Sequence, residues 1–274
     1  MKRLVWATIA CLWAGVAMAE EIRLAVTTSF QNSGLAKILL PEIKDDLDLD
    51  VRLLVVGTGQ ALRLGRAGDV DAILVHSRAA EEAFVAEGYG THRREIMYND
   101  FVLVGPVDDP ANAGSAGSVA EALTRVAETQ SVFVSRGDDS GTHRRELSLW
   151  AQAGIDTEAA DPAWYRAAGS GMGATLNVAA GMGAYVLADR ASWLNFANKD
   201  GLGILFQGDA ALFNQYAYLP VDPARHAYVK ADLARKLETW LVSDKAQAMM
   251  GAYMIDGQTL FVPNATADGQ ATDG

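Results

Sequence analysis

Cysteine is almost absent. Of 274 residues only Cys11 carries a thiol, and it lies in an apolar stretch that follows Met1-Lys2-Arg3, runs from Leu4 to Val16 and closes on Ala17-Met18-Ala19 before Glu20-Glu21. A basic start, a short apolar centre and a small-x-small end mark a secretory signal peptide cleaved after Ala19, not a membrane span. Thr8-Ile9-Ala10-Cys11 comes too early to be a lipoprotein box, so Cys11 reads as apolar filler. The mature chain, residues 20–274, is then free of cysteine, which excludes disulfides and thiolate-held metals. Histidine is scarce too. His76, His92, His143 and His226 show no ligand spacing, so no protein-held metal and no cofactor is expected.

Other absences narrow the function. Gly-x-Ser-x-Gly is missing, and no histidine is tied to Asp139-Ser140-Gly141 by a recognisable motif, which argues against a serine nucleophile. Gly57-Thr58-Gly59-Gln60-Ala61-Leu62 lacks the Gly-Lys-Ser/Thr of a P-loop and has Leu62 where a dinucleotide fingerprint needs its third glycine. Past the leader no apolar run approaches the ~20 residues of a transmembrane helix. Positive charge is also in deficit. Lys2 and Arg3 leave with the leader, so 21 basic residues face 34 acidic ones and the net charge moves from −11 to −13. A chain this acidic is a poor binder of nucleic acid or anionic membrane. Any anion it holds must be held by local N–H and O–H groups.

What is present is a series of strand–polar turn–helix units. Ile22-Arg23-Leu24-Ala25-Val26 runs into Thr27-Thr28-Ser29, with a helical stripe at Leu35, Ile38, Leu39 and Ile43. Val51 to Val56 runs into Gly57-Thr58-Gly59-Gln60, and Ala72 to Val75 into His76-Ser77, each before a helix. Three such units imply parallel strands with three helix N-termini on one sheet edge, where open α/β sheets bind ligands. Ile96 to Val104 is a long extended run that we take as the crossing into a second lobe, and Tyr216 to Val221 is the return. The expected fold is α/β and two-lobed: lobe one from 20–103 plus 216–274, lobe two from 104–215, each a mixed, mostly parallel sheet flanked by helices. One helix is predicted from Ala231 to Met250, and a frayed tail from Pro263 onward.

The densest motif is Ser135-Arg136-Gly137-Asp138-Asp139-Ser140-Gly141-Thr142-His143. It follows the strand Val132-Phe133-Val134 and opens a helix to Gly154. Gly137 and Gly141 are read as the sharp turns, and Ser140 or Thr142 as the cap. Arg136 with the Ser140 and Thr142 hydroxyls completes a donor cage for a small oxyanion over unpaired helix N–H groups. The plainer alternative is an ordinary capped helix. Asp138 and Asp139 either cap backbone N–H groups and orient Arg136, or one of them accepts the proton of a protonated oxyanion such as hydrogen phosphate. His143 reads as a solvated first-turn residue or as a neighbour of the cage.

Several segments then resemble the tungstate-binding periplasmic proteins of Tup-type ABC importers: Thr27-Thr28-Ser29, Val56 to Leu62, Val75-His76-Ser77, Ala79-Ala80-Glu81-Glu82, Tyr98-Asn99-Asp100-Phe101, Ser135 to His143 and Gly171-Met172-Gly173-Ala174-Thr175-Leu176. The chain departs from that pattern at Val26, where the family has a further Thr, and at Ser77-Arg78, where a small residue followed by Pro is expected. The resemblance implies the type II fold of periplasmic binding proteins. It implies that Thr28, Ser29, Arg136 and Thr142 hold the oxyanion, with Thr58 and Ser77 at two further helix starts in reach, and with Ser140, Asp138, Asp139, His143 and Thr175 in or around the cage. It also implies a periplasmic monomer that closes about a hinge on tungstate and delivers it to a membrane permease and an ATPase. Molybdate shares the charge and shape of tungstate. Phosphate is the rival on the Arg136 to Thr142 segment alone. From other classes, an enzyme for phosphorylated or sulfated substrates and an extracytoplasmic sensor would share the same cleft.

Overall fold

A computed structural model describes residues 20–199 and 201–265. The signal-peptide reading falls on residues 1–19, outside the described residues, as does the last part of the predicted tail. Among the described residues no helix is long and apolar enough to cross a membrane.

The first lobe is built from β1 (Glu20–Thr27), α1 (Thr28–Ser33), α2 (Ala36–Leu47), β2 (Leu49–Val56), α3 (Thr58–Ala67), β3 (Ala72–Val75) and α4 (Arg78–Ala86). β1 lies parallel to both β2 and β3, in registers that set Thr27 beside Val56 and Val26 beside Leu74. The polar turns after the three strands therefore line one edge. All four residues of β3 are buried, as expected of a central strand covered by helices on both faces. The six-residue α1 follows β1 without a break and was not foreseen as a separate helix. Thr27 caps it and Gly34 ends it in the left-handed conformation at φ 80°.

β4 (Arg94–Pro106) is the strand that joins the lobes. The chain then adds α5 (Val119–Glu128), β5 (Phe133–Ser135), α6 (Gly141–Gln152), β6 (Tyr165–Ala167), α7 (Met172–Met182), β7 (Val186–Asp189), α8 (Arg190–Leu194), β8 (Leu202–Phe206) and β9 (Phe213–Pro220). It closes with α9 (Ala231–Leu241), α10 (Asp244–Gly251), the two-residue strands β10 (Met254–Ile255) and β11 (Gln258–Thr259), and β12 (Val262–Pro263). From Arg94 to Asp100, β4 runs antiparallel to β9. From Phe101 onward it leaves β9 and pairs with β7 and β8. The first-lobe sheet has the order β12-β4-β9-β3-β1-β2, and β5 with β6 forms a separate parallel pair in the second lobe. The outcome is a two-lobed α/β molecule whose lobes meet along one continuous strand.

Three expectations need correction. The predicted helix over Ala231 to Met250 is two helices, because Ser243 donates to the Trp240 carbonyl at 2.6 Å and accepts from Ala246 N, ending one helix and capping the next. The tail does not fray at Pro263. Leu260 and Phe261 are buried, Val262 and Pro263 pair with Tyr98 and Met97, and Asn264 donates to Gln215 at 2.7 Å. Gly141 is not a turn residue, since it opens α6; the second left-handed residue of that loop is Asp139, at φ 56° beside Gly137 at 63°.

One apolar core runs through both lobes. It includes Ile22, Leu24 and Phe30 of the first lobe with Val186, Trp193 and Leu194 of the second. Here α1 packs on α8, and Asn195 donates to the Asn32 carbonyl at 2.8 Å.

Candidate functional site

The site grows from helix first turns. β5 ends at Ser135, and the chain turns through Gly137 and Asp139 into α6. Ser140 caps that helix by accepting from His143 N at 3.2 Å. Its hydroxyl proton remains free to donate. Arg136 is 3% exposed and donates through Nη1 to Thr142 Oγ1 at 3.3 Å. Asp138 divides its oxygens: Oδ2 accepts from Arg136 Nε at 3.0 Å and Oδ1 from Ser140 N at 3.1 Å. It thus both orients the guanidinium and satisfies a backbone donor, as one of the two sequence readings expects. Asp139 faces away to Arg144, which donates to both its oxygens at 3.0 Å, while its own N–H donates to His143 Nδ1 at 3.1 Å. The Arg144 bonds hold the Asp139 carboxyl below the ordinary carboxylate range. Burial pulls His143 down, with its two aspartate neighbours opposing.

Below the loop lies Glu146, a buried carboxyl reached by Arg136 N at 3.2 Å and by the Tyr165 hydroxyl at 2.7 Å. Burial pushes it up to about 7. The backbone of Arg136 is held from a second side, its carbonyl accepting from Ser170 N at 3.3 Å. Thr175 donates to the carbonyls of Ser170 and Gly171, both at 3.1 Å. It therefore stabilises the turn that supports Arg136.

Across the cleft, Thr58 opens α3. It is fully buried, and its hydroxyl has no partner. Thr28 opens α1, and Ser29 beside it is buried. The two lobes come very close at Gly141. A Cβ there would lie 2.7 Å from His76 Cε1 and 3.1 Å from both His76 Nδ1 and Thr58 Oγ1. At Gly59 a Cβ would lie 3.3 Å from Arg144 Nη2. The first turns of α3 and α6 thus face each other, and Arg136, Ser140, Thr142 and Thr58 belong to one closed cleft. Ser77 precedes α4 and shares a cavity with His76 and Gly141, its N–H donating to Glu81 Oε1 at 2.5 Å.

The sequence reading missed the floor of the cleft. His76 packs its ring 4.8 Å from that of Tyr216, and Asn214 donates to Asn99 at 2.7 Å. His76 Nδ1, Tyr216 OH, Asn99 Nδ2, Asn214 Oδ1, Asp189 Oδ1 and Ser192 Oγ are buried and make no well-formed hydrogen bond, although Asp189 lies near the Ser192 side chain and Asn214 near those of His76 and Tyr216. Burial, reinforced by the nearby Arg136 charge, lowers His76 to about 4, so the imidazole is neutral at pH 7. Burial raises Asp189, opposed by the Ser192 N–H and by Arg136. Buried polar groups are normally paired. Orphans on both sides of one cleft mark a place where a polar ligand completes the bonding. Among the described residues no group of His, Cys, Asp or Glu could hold a metal ion.

A family model, the PBP superfamily domain, matches residues 15–245. The tungstate-binding protein TupA of Peptoclostridium acidaminophilum is 45% identical over 249 residues, 89% of this chain and 86% of its own length. The solved structure of the tungstate-binding protein TupA from Desulfovibrio alaskensis G20 is 46% identical, with a TM-score of 0.80 over 90% of this chain and 100% of that one. The structure of the tungstate ABC transporter from Geobacter sulfurreducens is 45% identical, with a TM-score of 0.78 over 85% and 99%. The two lobes, the crossing strand and the polar helix starts are those of a periplasmic binding protein, and the chain belongs to the PBP superfamily and, within it, to the family of the TupA tungstate-binding proteins.

Proposed function

We propose that this protein binds a tetrahedral oxyanion, tungstate first, in the periplasm and delivers it as a monomer to the permease and ATPase of an ABC importer. The observation that carries the reading is that the first turn of α6, where the buried Arg136 donates to Thr142, meets the unpartnered Thr58 hydroxyl of the other lobe at Gly141. Arg136, Ser140 and Thr142 would hold the anion from lobe two, and Thr28, Ser29 and Thr58 from lobe one. In the lobe division we assign, 20–103 plus 216–274 against 104–215, only the closed form brings both sets onto the ligand, so binding and hinge closure are one event. Charge-assisted hydrogen bonds contribute roughly 1.5–3 kcal/mol each, enough for nanomolar affinity on an acidic protein.

Both oxygens of Asp138 are engaged and Asp139 is turned to Arg144. Neither is placed to accept a proton from hydrogen phosphate, whereas Asp189 Oδ1 on the cleft floor is buried without a well-formed bond, so phosphate stays in the test as the rival ligand. The test is calorimetric titration of the anion-stripped mature protein with tungstate, molybdate, sulfate and phosphate. Tight one-to-one tungstate binding that sulfate and phosphate do not displace is expected, and the molybdate ratio measures metal selectivity. Arg136→Ala should weaken tungstate binding at least about tenfold, which is 1.4 kcal/mol; an unchanged Kd would remove that arginine from the site.

A further inference from the structure

Outside the cage, a cavity of about 350 Å³ lies between the start of α4 and the first two turns of α6. Arg78, Arg144 and Arg145 line it together with His76, Ser77 and Gly141. Two of the three arginines carry their own carboxylates: Arg78 reaches Glu82 at 2.8 Å and Arg144 holds Asp139. Arg145 does not. Its Nη2 donates to the Phe213 carbonyl at 2.7 Å, and among the described residues it has no carboxylate within ion-pair distance. It is half-buried. Burial lowers its pKa, yet a guanidinium stays charged at neutral pH. The cavity thus holds one positive charge in excess, on a chain whose net charge is strongly negative.

The cavity adjoins the inner cleft. His76 and Gly141 line it, and a Cβ at Gly141 would approach both His76 and Thr58 on one side, so an anion held near Arg145 is next to the cage.

We propose that Arg145 makes this cavity the entry point for a dianionic oxyanion, drawing the anion to lobe two before the lobes close on it. This rests on reading the inner cleft as the oxyanion site. Without a local attractor, a dianion approaching so acidic a protein meets repulsion at every distance. One unit charge acting on a dianion about 8 Å away through water changes its local concentration about fivefold.

The experiment is stopped-flow association of tungstate, read by tryptophan emission, on the mature protein at low and moderate salt. Arg145→Gln should lower the association rate constant about fivefold and change the dissociation rate less than twofold. Added salt should narrow the gap to wild type, because screening weakens the lost attraction. Arg145→Lys should restore the rate to within twofold, which a loss of the Phe213 contact alone would not. Arg235→Gln, which makes the same charge change on the exposed face of α9, should leave the rate unaltered. Association unchanged in Arg145→Gln, or slowed equally in Arg235→Gln, overturns the proposal. A dissociation rate raised with association intact places Arg145 in the cage itself and also overturns it. Wild-type protein that fails to bind tungstate would bring down the reading of the inner cleft together with this one.

Discussion

Gly141 is a residue whose importance lies in having no side chain. Its φ is ordinary for a helix start, so alanine would suit the backbone well; the obstacle is the His76 ring at 2.7 Å from where a methyl would stand. Because His76 belongs to the opposite lobe and is wedged against Tyr216, that clash opposes closure more than folding. We expect Gly141→Ala to weaken tungstate binding at least about tenfold, and small-angle scattering of the saturated variant to retain the dimensions of the ligand-free protein. A variant that closes normally would show that the His76 ring yields. Among single residues, the places of Arg136, Ser140, Thr142 and Thr58 at helix starts were legible in the sequence because each follows a strand through a polar, glycine-bearing turn. Asp189, Tyr216, Asn214 and His76 were not, because they come from three separate segments. The pairing of Phe101 with Asp189 and of Asn99 with Asn214 along β4 joins two of those segments, and the pairing of Val75 with Ala217 brings in His76.

At the scale of elements, periodicity located the parallel β1, β2 and β3 and their helices, since buried strands of four to eight apolar residues between polar turns leave little ambiguity. It was misread near the C-terminus. The apolar stripe Leu233, Leu237, Trp240 and Leu241 does not continue in helical phase: at 3.6 residues per turn Ala246 and Met250 fall on the opposite side, a break that the reading of one long helix passed over and that Ser243 makes by turning the chain. Ser243→Ala should therefore destabilise the protein by about 1 kcal/mol through loss of the α10 cap, seen as a lower Tm, while the tungstate Kd stays unchanged because α10 lies on the far side of lobe one. A large change in Kd would mean that the C-terminal helices take part in closure. The six-residue α1 was missed for a different reason. Its apolar Phe30 faces the core alone, with too few turns for a period to emerge.

Considered whole, the molecule sets polar helix starts and a buried Arg136 inside an acidic chain, and it joins its lobes through an apolar seam as well as through β4. The contact of α1 with α8 places Phe30 in the same core as Trp193 and Leu194. A bare tetrahedral oxyanion has no apolar surface to bury, so its capture by a rigid cage would carry almost no heat-capacity change. If capture instead draws α1 onto α8, water leaves hydrocarbon on both lobes, and the binding enthalpy must become more negative as temperature rises. A clearly negative heat-capacity change, measured by repeating the titration between about 10 and 35 °C, would be the signature of the protein's own seam closing; a value near zero would mean that the seam is already shut before the anion arrives.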